Sequence, residues 1–162
     1  MEKGKKACTL LLGALRLMSM AATLSATIVT ITSRERVIVF NFPVDAKYHY
    51  TPSLKFFAIA NGIGSVYSLA VLFIPATKLR RLVVAFDVVI TMLLTASASA
   101  ALAVGHVARK GDSHAGWIPI CGQVPKFCDH VLAALILGFC GVFIYMFLLL
   151  HAIHTFIKPI LL

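Results

Sequence analysis

Acidic residues are nearly missing from this 162-residue chain, which carries six Asp and Glu against 15 Lys and Arg. Charge of either sign is scarce, at 13% of residues, where a soluble domain carries roughly 25%. Cysteine, at four, and tryptophan, at one, are also few. No Asn-x-Ser/Thr triplet occurs, so N-glycosylation is not expected. A Ser–His–Asp set, a phosphate loop, an HExxH pair and paired carboxylates are all lacking. We therefore expect no catalytic residue, no metal site, no cofactor and no enzyme.

What the chain has in abundance is apolar sequence. Hydrophobic residues make up 60%, mean hydropathy is +0.93, and the apolar residues form four long blocks. A soluble enzyme, a disordered tail and a nucleic-acid-binding domain are excluded on that pattern, and an integral membrane protein remains. The net charge of +9 does not imply a nucleic-acid partner. Its basic residues flank the blocks, where lipid headgroups and topology account for them. The first block is too long for a secretory signal and is followed by no small-residue cleavage site.

Spanning a bilayer takes about 20 apolar residues. The blocks predict an all-α membrane protein, a four-helix transmembrane bundle forming one domain over 1–162. Its spans cover about 8–31, 54–75, 82–104 and 131–157, and its outer loops about 32–53 and 105–130. An even number of spans puts both termini on one side. So little sequence flanks the first and last spans that function is expected in the bilayer or the two longer loops. Flanking cations tie at seven each: Lys3, Lys5, Lys6, Lys78, Arg80, Arg81 and Lys158 against Arg34, Arg36, Lys47, Lys55, Arg109, Lys110 and Lys126. The short connector holding Lys78, Arg80 and Arg81, and the acidic residues on the opposite face, break the tie in favour of cytoplasmic termini.

In the first loop, Val44 to Tyr50 alternates apolar and polar, the period of a half-buried strand. Pro43 is expected to turn the chain between two short strands of a small extracellular β-hairpin. An irregular loop with aromatics at the membrane interface is the other reading. In the second loop Cys121 and Cys128 lie seven apart with Gly and Pro between them. On an oxidising face they form a disulfide. A metal site with His130 and His114, or free thiols, are the rivals. Cys8 and Cys140 are read as buried inert thiols, with palmitoylation of Cys8 as the alternative.

Two charges sit inside the spans, Arg16 in the first and Asp87 in the third. Each costs about 2.5–3.5 kcal/mol unpaired. At 1.5 Å per residue they lie about 10 Å and about 8 Å from the same face, which predicts an intramembrane ion pair. Polar residues continue from each at helical spacing, Ser19, Thr23, Thr27 and Thr30 on one helix, Thr91, Thr95 and Ser99 on the other. These stripes are expected to face each other as packing surfaces, against the alternatives of hydroxyls bonding back to their own helix or a water-lined path. Ala60, Gly64 and Ser68 form a small-residue face on the second span. The fourth span, rich in Leu and Phe with Phe139, Phe143 and Phe147 in register, is expected to meet lipid or a neighbouring protomer. His106 and His114 are read as solvated loop residues, and His151 and His154 as interfacial.

The joint occurrence of Arg16, Asp87, Ala46-Lys47-Tyr48…Pro52, Lys55-Phe56-Phe57-Ala58-Ile59-Ala60-Asn61, Tyr67-Ser68-Leu69 and His114-Ala115-Gly116-Trp117-Ile118-Pro119-Ile120-Cys121-Gly122-Gln123 resembles the plant Casparian strip membrane domain protein-like (CASP-like) family, subgroup 1. The intramembrane Arg and Asp are also similar to those of animal MARVEL-type four-span proteins. The resemblance implies a plasma-membrane protein that assembles laterally into scaffolds and gathers wall-modifying partners such as peroxidases. It matches Arg16 and Asp87 to the family's intramembrane pair, and Cys121 and Cys128 to its second-loop cysteines. The first loop departs from the founding members, whose characteristic segment is not evident here.

The leading expectation is thus a non-enzymatic homo-oligomeric scaffold in contact with membrane lipids, presenting Phe40, Phe42, Tyr48, Tyr50 and Trp117 to extracellular partners. A small channel or transporter subunit using the Arg16 and Asp87 stripes is the alternative.

Overall fold

The structure is a computed structural model that describes residues 2–39, 42–73 and 80–157. Four helices dominate it: α1 (Glu2–Thr32), α2 (Pro52–Phe73), α3 (Arg80–Lys110) and α4 (Pro125–Ile157). Each is long and apolar enough to cross a membrane. The chain is a membrane protein with four spans, as its hydropathy requires. Prolines begin α2 and α4, at the first helical position, where the missing N–H is no loss.

The helices form a square. α1 packs on α2 and α4, and α3 packs on the same two, so α1 and α3 stand on one diagonal and α2 and α4 on the other. This overturns the expectation that the stripes on the first and third helices face each other. Most of their hydroxyls bond back to their own helix. Thr23 donates to the Ser19 carbonyl at 2.9 Å, Thr30 to Ala26 at 2.7 Å, Thr91 to Asp87 at 2.7 Å and Thr95 to Thr91 at 2.8 Å. Thr95 and Ser99 are exposed, on the side of α3 away from the bundle, while Ser97, Ala98 and Ala101 take the buried face.

α4 is not simply a lipid-facing helix. Ile136, Phe143, Phe147 and Leu150 are exposed, but Phe139 packs against the core and the opposite side is central. A Cβ at Gly138 would come within 2.5 Å of the Phe57 ring of α2, and one at Gly141 within 2.9 Å of the Thr23 methyl of α1. Gly141 lets α4 approach its neighbour α1 closely, in the small-residue manner of membrane helices, and Gly138 makes room for the Phe57 ring reaching across the diagonal from α2.

The first loop holds the expected antiparallel hairpin, with different bounds. β1 (Arg34–Val39) pairs with β2 (Phe42–Lys47) from Arg34↔Lys47 to Val39↔Phe42. Pro43 lies within β2 opposite Ile38, so it does not make the turn. Both strands of a two-stranded sheet are edges, where proline is tolerated. Tyr48–Tyr50 is a 3-10 turn and not strand.

The second loop is shorter than expected because α3 runs on to Lys110 and α4 starts at Pro125. Gly111 ends α3 in the left-handed region, φ 70°, and its N–H bonds the Val107 carbonyl at 2.7 Å, a glycine C-cap. A Cβ there would lie 2.5 Å from the Trp117 carbonyl oxygen, so space as well as dihedral selects glycine. The loop folds back on α3 through Ile120 and Cys121 N–H bonds to the Ala108 carbonyl, 2.9 and 3.1 Å. Cys121 and Cys128 are joined as a disulfide with Cα atoms 5.7 Å apart, which ties the loop to the first turn of α4.

Gly138→Ala is expected to destabilise the bundle by about 1–3 kcal/mol, the cost of overpacking a filled interface. Gly62, whose added Cβ would meet only the Thr27 methyl at 3.9 Å, is the control and should tolerate alanine. Thermal unfolding of both variants in the same detergent measures the difference.

Candidate functional site

Inside the apolar bundle, at the level of Asp87 near the start of α3, lies a polar network contributed by all four helices. Arg16 on α1 and Asp87 on α3 form a direct ion pair, Nη2 to Oδ2, with side-chain exposures of 11% and 1%. The pair therefore crosses a diagonal of the square, between helices that do not pack on each other. Tyr67 on α2 fills the gap. Its hydroxyl donates to Asp87 Oδ1 at 2.8 Å and lies 3.0 Å from the Val83 carbonyl. The Arg16 guanidinium sits over the Tyr67 ring, 5.8 Å from its centroid, close enough for a cation–π contact. Both Asp87 oxygens are thereby occupied by protein groups.

The other diagonal is crossed at the same level. Tyr145 on α4 is fully buried, with its hydroxyl 2.6 Å from Ser68 Oγ and 2.5 Å from the Gly64 carbonyl on α2. Ser68 Oγ lies 3.0 Å from Ser19 Oγ on α1, and Ser19 donates to the Arg16 carbonyl at 2.8 Å. The hydroxyl chain from Tyr145 thus ends on the backbone of the residue that supplies the cation. Gly64 also lets Leu94 of α3 approach, since a Cβ there would be 3.3 Å from Leu94 Cδ2. Ala60, Gly64, Ser68 and Thr91 are all buried here. One donor is left over: Arg16 Nη1 is buried without a hydrogen-bond partner among the described residues.

Tyr67 and Tyr145 were not readable as site residues from spacing. Tyrosine in a span is usually an interface anchor. The signal was position: each lies well inside an apolar run, where its hydroxyl must find a partner.

A second cluster ties the loops together. Glu35 on β1 accepts the Phe127 N–H at 2.9 Å, in the first turn of α4, where backbone donors lack helical partners and a carboxylate is favoured. Cys128 is the next residue. The hairpin and the disulfide loop therefore meet on one helical turn. Asp112 shapes the second loop, pairing with Trp117 through two 2.9 Å backbone bonds and accepting the His114 and Ala115 N–H groups at 3.0 and 3.2 Å.

The expected aromatic surface divides. Trp117 is 60% and Tyr50 62% exposed, beside Ile118 at 77%. Tyr48 packs against the core and does not join that surface. Phe40 lies outside the described residues, and Phe42 is described only as a backbone position in β2. No cluster of three or more His, Cys, Asp or Glu positioned to hold a metal occurs among the described residues. His130 is engaged with the Lys126 carbonyl at 2.6 Å. Cys140 is exposed, contrary to its reading as a buried thiol, because it falls on the outward stripe of α4.

Removing one partner of a buried ion pair costs about 3–5 kcal/mol. Asp87→Leu alone is expected to lose that much, and Arg16→Leu with Asp87→Leu to lose less than the sum of the two singles. Tyr145→Phe should cost about 0.5–1.5 kcal/mol. Unfolding free energies measured in one detergent, with the double-mutant cycle closed, give the coupling.

Comparison with known proteins places this architecture. Residues 5–144 match the family model of the Casparian strip membrane protein domain. CASP-like protein 1C2 of Vitis vinifera is 55% identical over 142 residues, covering 87% of this chain and 88% of its own. CASP-like protein 1C1 of Arabidopsis thaliana is 52% identical over 149 residues, 91% of each chain. CASP-like protein 1C3 of Populus trichocarpa is 49% identical over 162 residues, 99% of this chain and 93% of its own. No solved structure matches. With a four-span bundle, a two-stranded hairpin and this degree of identity along nearly its whole length, the chain belongs to the CASP-like family of membrane proteins, in subgroup 1.

Proposed function

We propose that the protein is a non-enzymatic scaffold of the plasma membrane, which oligomerises laterally into a membrane domain and organises wall-modifying partners, peroxidases among them. The observation that carries this reading is the crossed pair of links through the bundle. Arg16–Tyr67–Asp87 and Tyr145–Ser68–Ser19 commit the intramembrane polar groups to holding four helices as one block. A block locked in this way suits a building unit better than a gate. The disulfide supports placing the loop end in the oxidising compartment and both termini in the cytoplasm. Trp117, Ile118 and Tyr50 then face the wall side, as apolar surface for partners.

Neighbouring protomers meet along the outward stripe of α4, through Ile136, Cys140, Phe143, Phe147 and Leu150. Its side chains are large and its span has the highest mean hydropathy of the four, 2.6. Cys140 supplies the test. In a Cys8→Ser background, a short bis-maleimide applied to native membranes should join two chains through Cys140, and Cys140→Ser should abolish the product. Monomer alone at every concentration of cross-linker would remove α4 from the contact.

Asp87→Asn should reduce assembly, read as particle mass by light scattering in mild detergent. The exchange of Arg16→Asp with Asp87→Arg should restore part of it. The transport reading draws on one observation, the unpartnered Arg16 Nη1. It predicts the opposite pattern: ion or solute flux into vesicles lost in Asp87→Asn while particle mass is unchanged.

A further inference from the structure

At the loop end, α3 and α4 part enough to leave a cavity of about 200 Å³. Leu102 and Gly105 of α3 and Val131 and Leu135 of α4 line its depth, Leu54 of α2 contributes, and Ile120 and Cys128 of the disulfide loop close one side. The polar side chains that line it are Thr51, just before α2, and His106 and Arg109, one turn apart near the end of α3. His106 and Arg109 are exposed, and Lys110 follows in the same last turn. From Leu102 to Arg109 the groove runs about 10 Å along the helix axis, apolar toward the middle of the span and cationic toward its end.

Three physical points choose the occupant. Small-molecule pockets span roughly 300–1,000 Å³, so this one takes only part of a longer molecule whose remainder lies in the bilayer. The groove opens on membrane-spanning helices, where the surrounding medium is itself acyl chain. No carboxylate lines it; of those near it, Glu35 is taken up by the N–H of Phe127 and Asp112 by the N–H groups of its own loop. Apolar depth and cationic rim match the two halves of an anionic phospholipid.

We infer that this groove is a binding site for an anionic phospholipid, with one acyl chain between α3 and α4 and the phosphate at Arg109 and His106. The disulfide loop forms its lid wall, since Ile120 is held to the Ala108 carbonyl and Cys128 is bonded to Cys121. The inference is independent of the scaffold reading, because it concerns lipid selectivity and holds for a monomer.

The single tryptophan, Trp117, reports on the site. Its backbone packs against Gly111, two residues beyond Arg109. The protein is reconstituted in phosphatidylcholine vesicles containing phosphatidylglycerol, with one or the other lipid brominated near the carboxyl end of its chains. Brominated phosphatidylglycerol should quench Trp117 with roughly fivefold preference over brominated phosphatidylcholine, the contribution of about one interfacial cation. Arg109→Gln, a surface change that leaves the core untouched, should bring the two lipids level. Gly105→Leu should do the same with every charge retained, by filling the groove; its Cβ meets only Leu135 Cδ1, at 3.6 Å. Equal quenching by both lipids in the unmodified protein overturns the proposal. So does a preference that survives either variant, or displacement of phosphatidylglycerol by a brominated sterol at equal mole fraction.

Discussion

Hydrocarbon has no means of solvating a carboxylate, and Asp87 is buried among four apolar helices with 1% of its side chain exposed. The rest of the bundle is arranged around that constraint. An unpaired charge at this depth costs about 2.5–3.5 kcal/mol on insertion scales, as much as burying one large apolar side chain contributes. The guanidinium that compensates it comes from the helix diagonally opposite. That span can be bridged only by a long side chain, and it leaves room at the centre that other groups must fill. Tyr67 fills it on one side, as a ring beneath the cation and a hydroxyl on the carboxylate. Ser19, Ser68 and Tyr145 fill it on the other.

The crossed geometry has a mechanical consequence. In a square of four helices, contacts along the edges leave the square free to shear into a rhombus, whereas links along both diagonals resist it. The ion pair braces one diagonal, while the Tyr145–Ser68 bond and the Phe57–Gly138 contact brace the other. Toward the loop end the bracing becomes covalent and capping in kind: the disulfide joins the second loop to α4, and Glu35 brings the hairpin onto the same turn. Two devices of different chemistry thus meet at residues 127 and 128, at the loop end where Trp117, Ile118 and Tyr50 are exposed. A body of this kind is suited to repeated lateral assembly, because its outward faces keep one shape. The exposed stripe of α4 and the groove between α3 and α4 are two such faces, one apolar throughout and one with a cationic end.

Much of this was legible in one dimension. Block length set four spans, since each must cross about 30 Å of hydrocarbon, and the equal depth of Arg16 and Asp87 pointed to the pairing of their side chains. Cys121 and Cys128 were legible because two cysteines seven apart close a short loop, and the hairpin in part, because the alternation from Val44 marks β2 as far as Lys47 but runs on through Tyr48–Tyr50, which is a 3-10 turn. The hairpin's turn was misplaced because Pro43 is a strong local signal that an edge strand also accommodates. The second loop was drawn too long because its flanking residues, such as His106 and Arg109, are polar enough to read as loop while still continuing the helix to Lys110.

By itself, then, the sequence determined how many helices there are, which residues carry charge inside them and at what height, because hydropathy and rise per residue are properties of single helices. Which helix stands beside which was decided only in three dimensions. The diagonal placement of α1 and α3, the turning of Thr95 and Ser99 to the outside, and the recruitment of Tyr67 and Tyr145 all depend on how four cylinders rotate about their axes. That rotation is set by whichever small residues allow closest approach, and Gly138 and Gly141 allow it on a helix whose composition speaks only of lipid. A periodic pattern names a face; the neighbour that covers it is chosen by packing, and packing is a property of the assembled bundle.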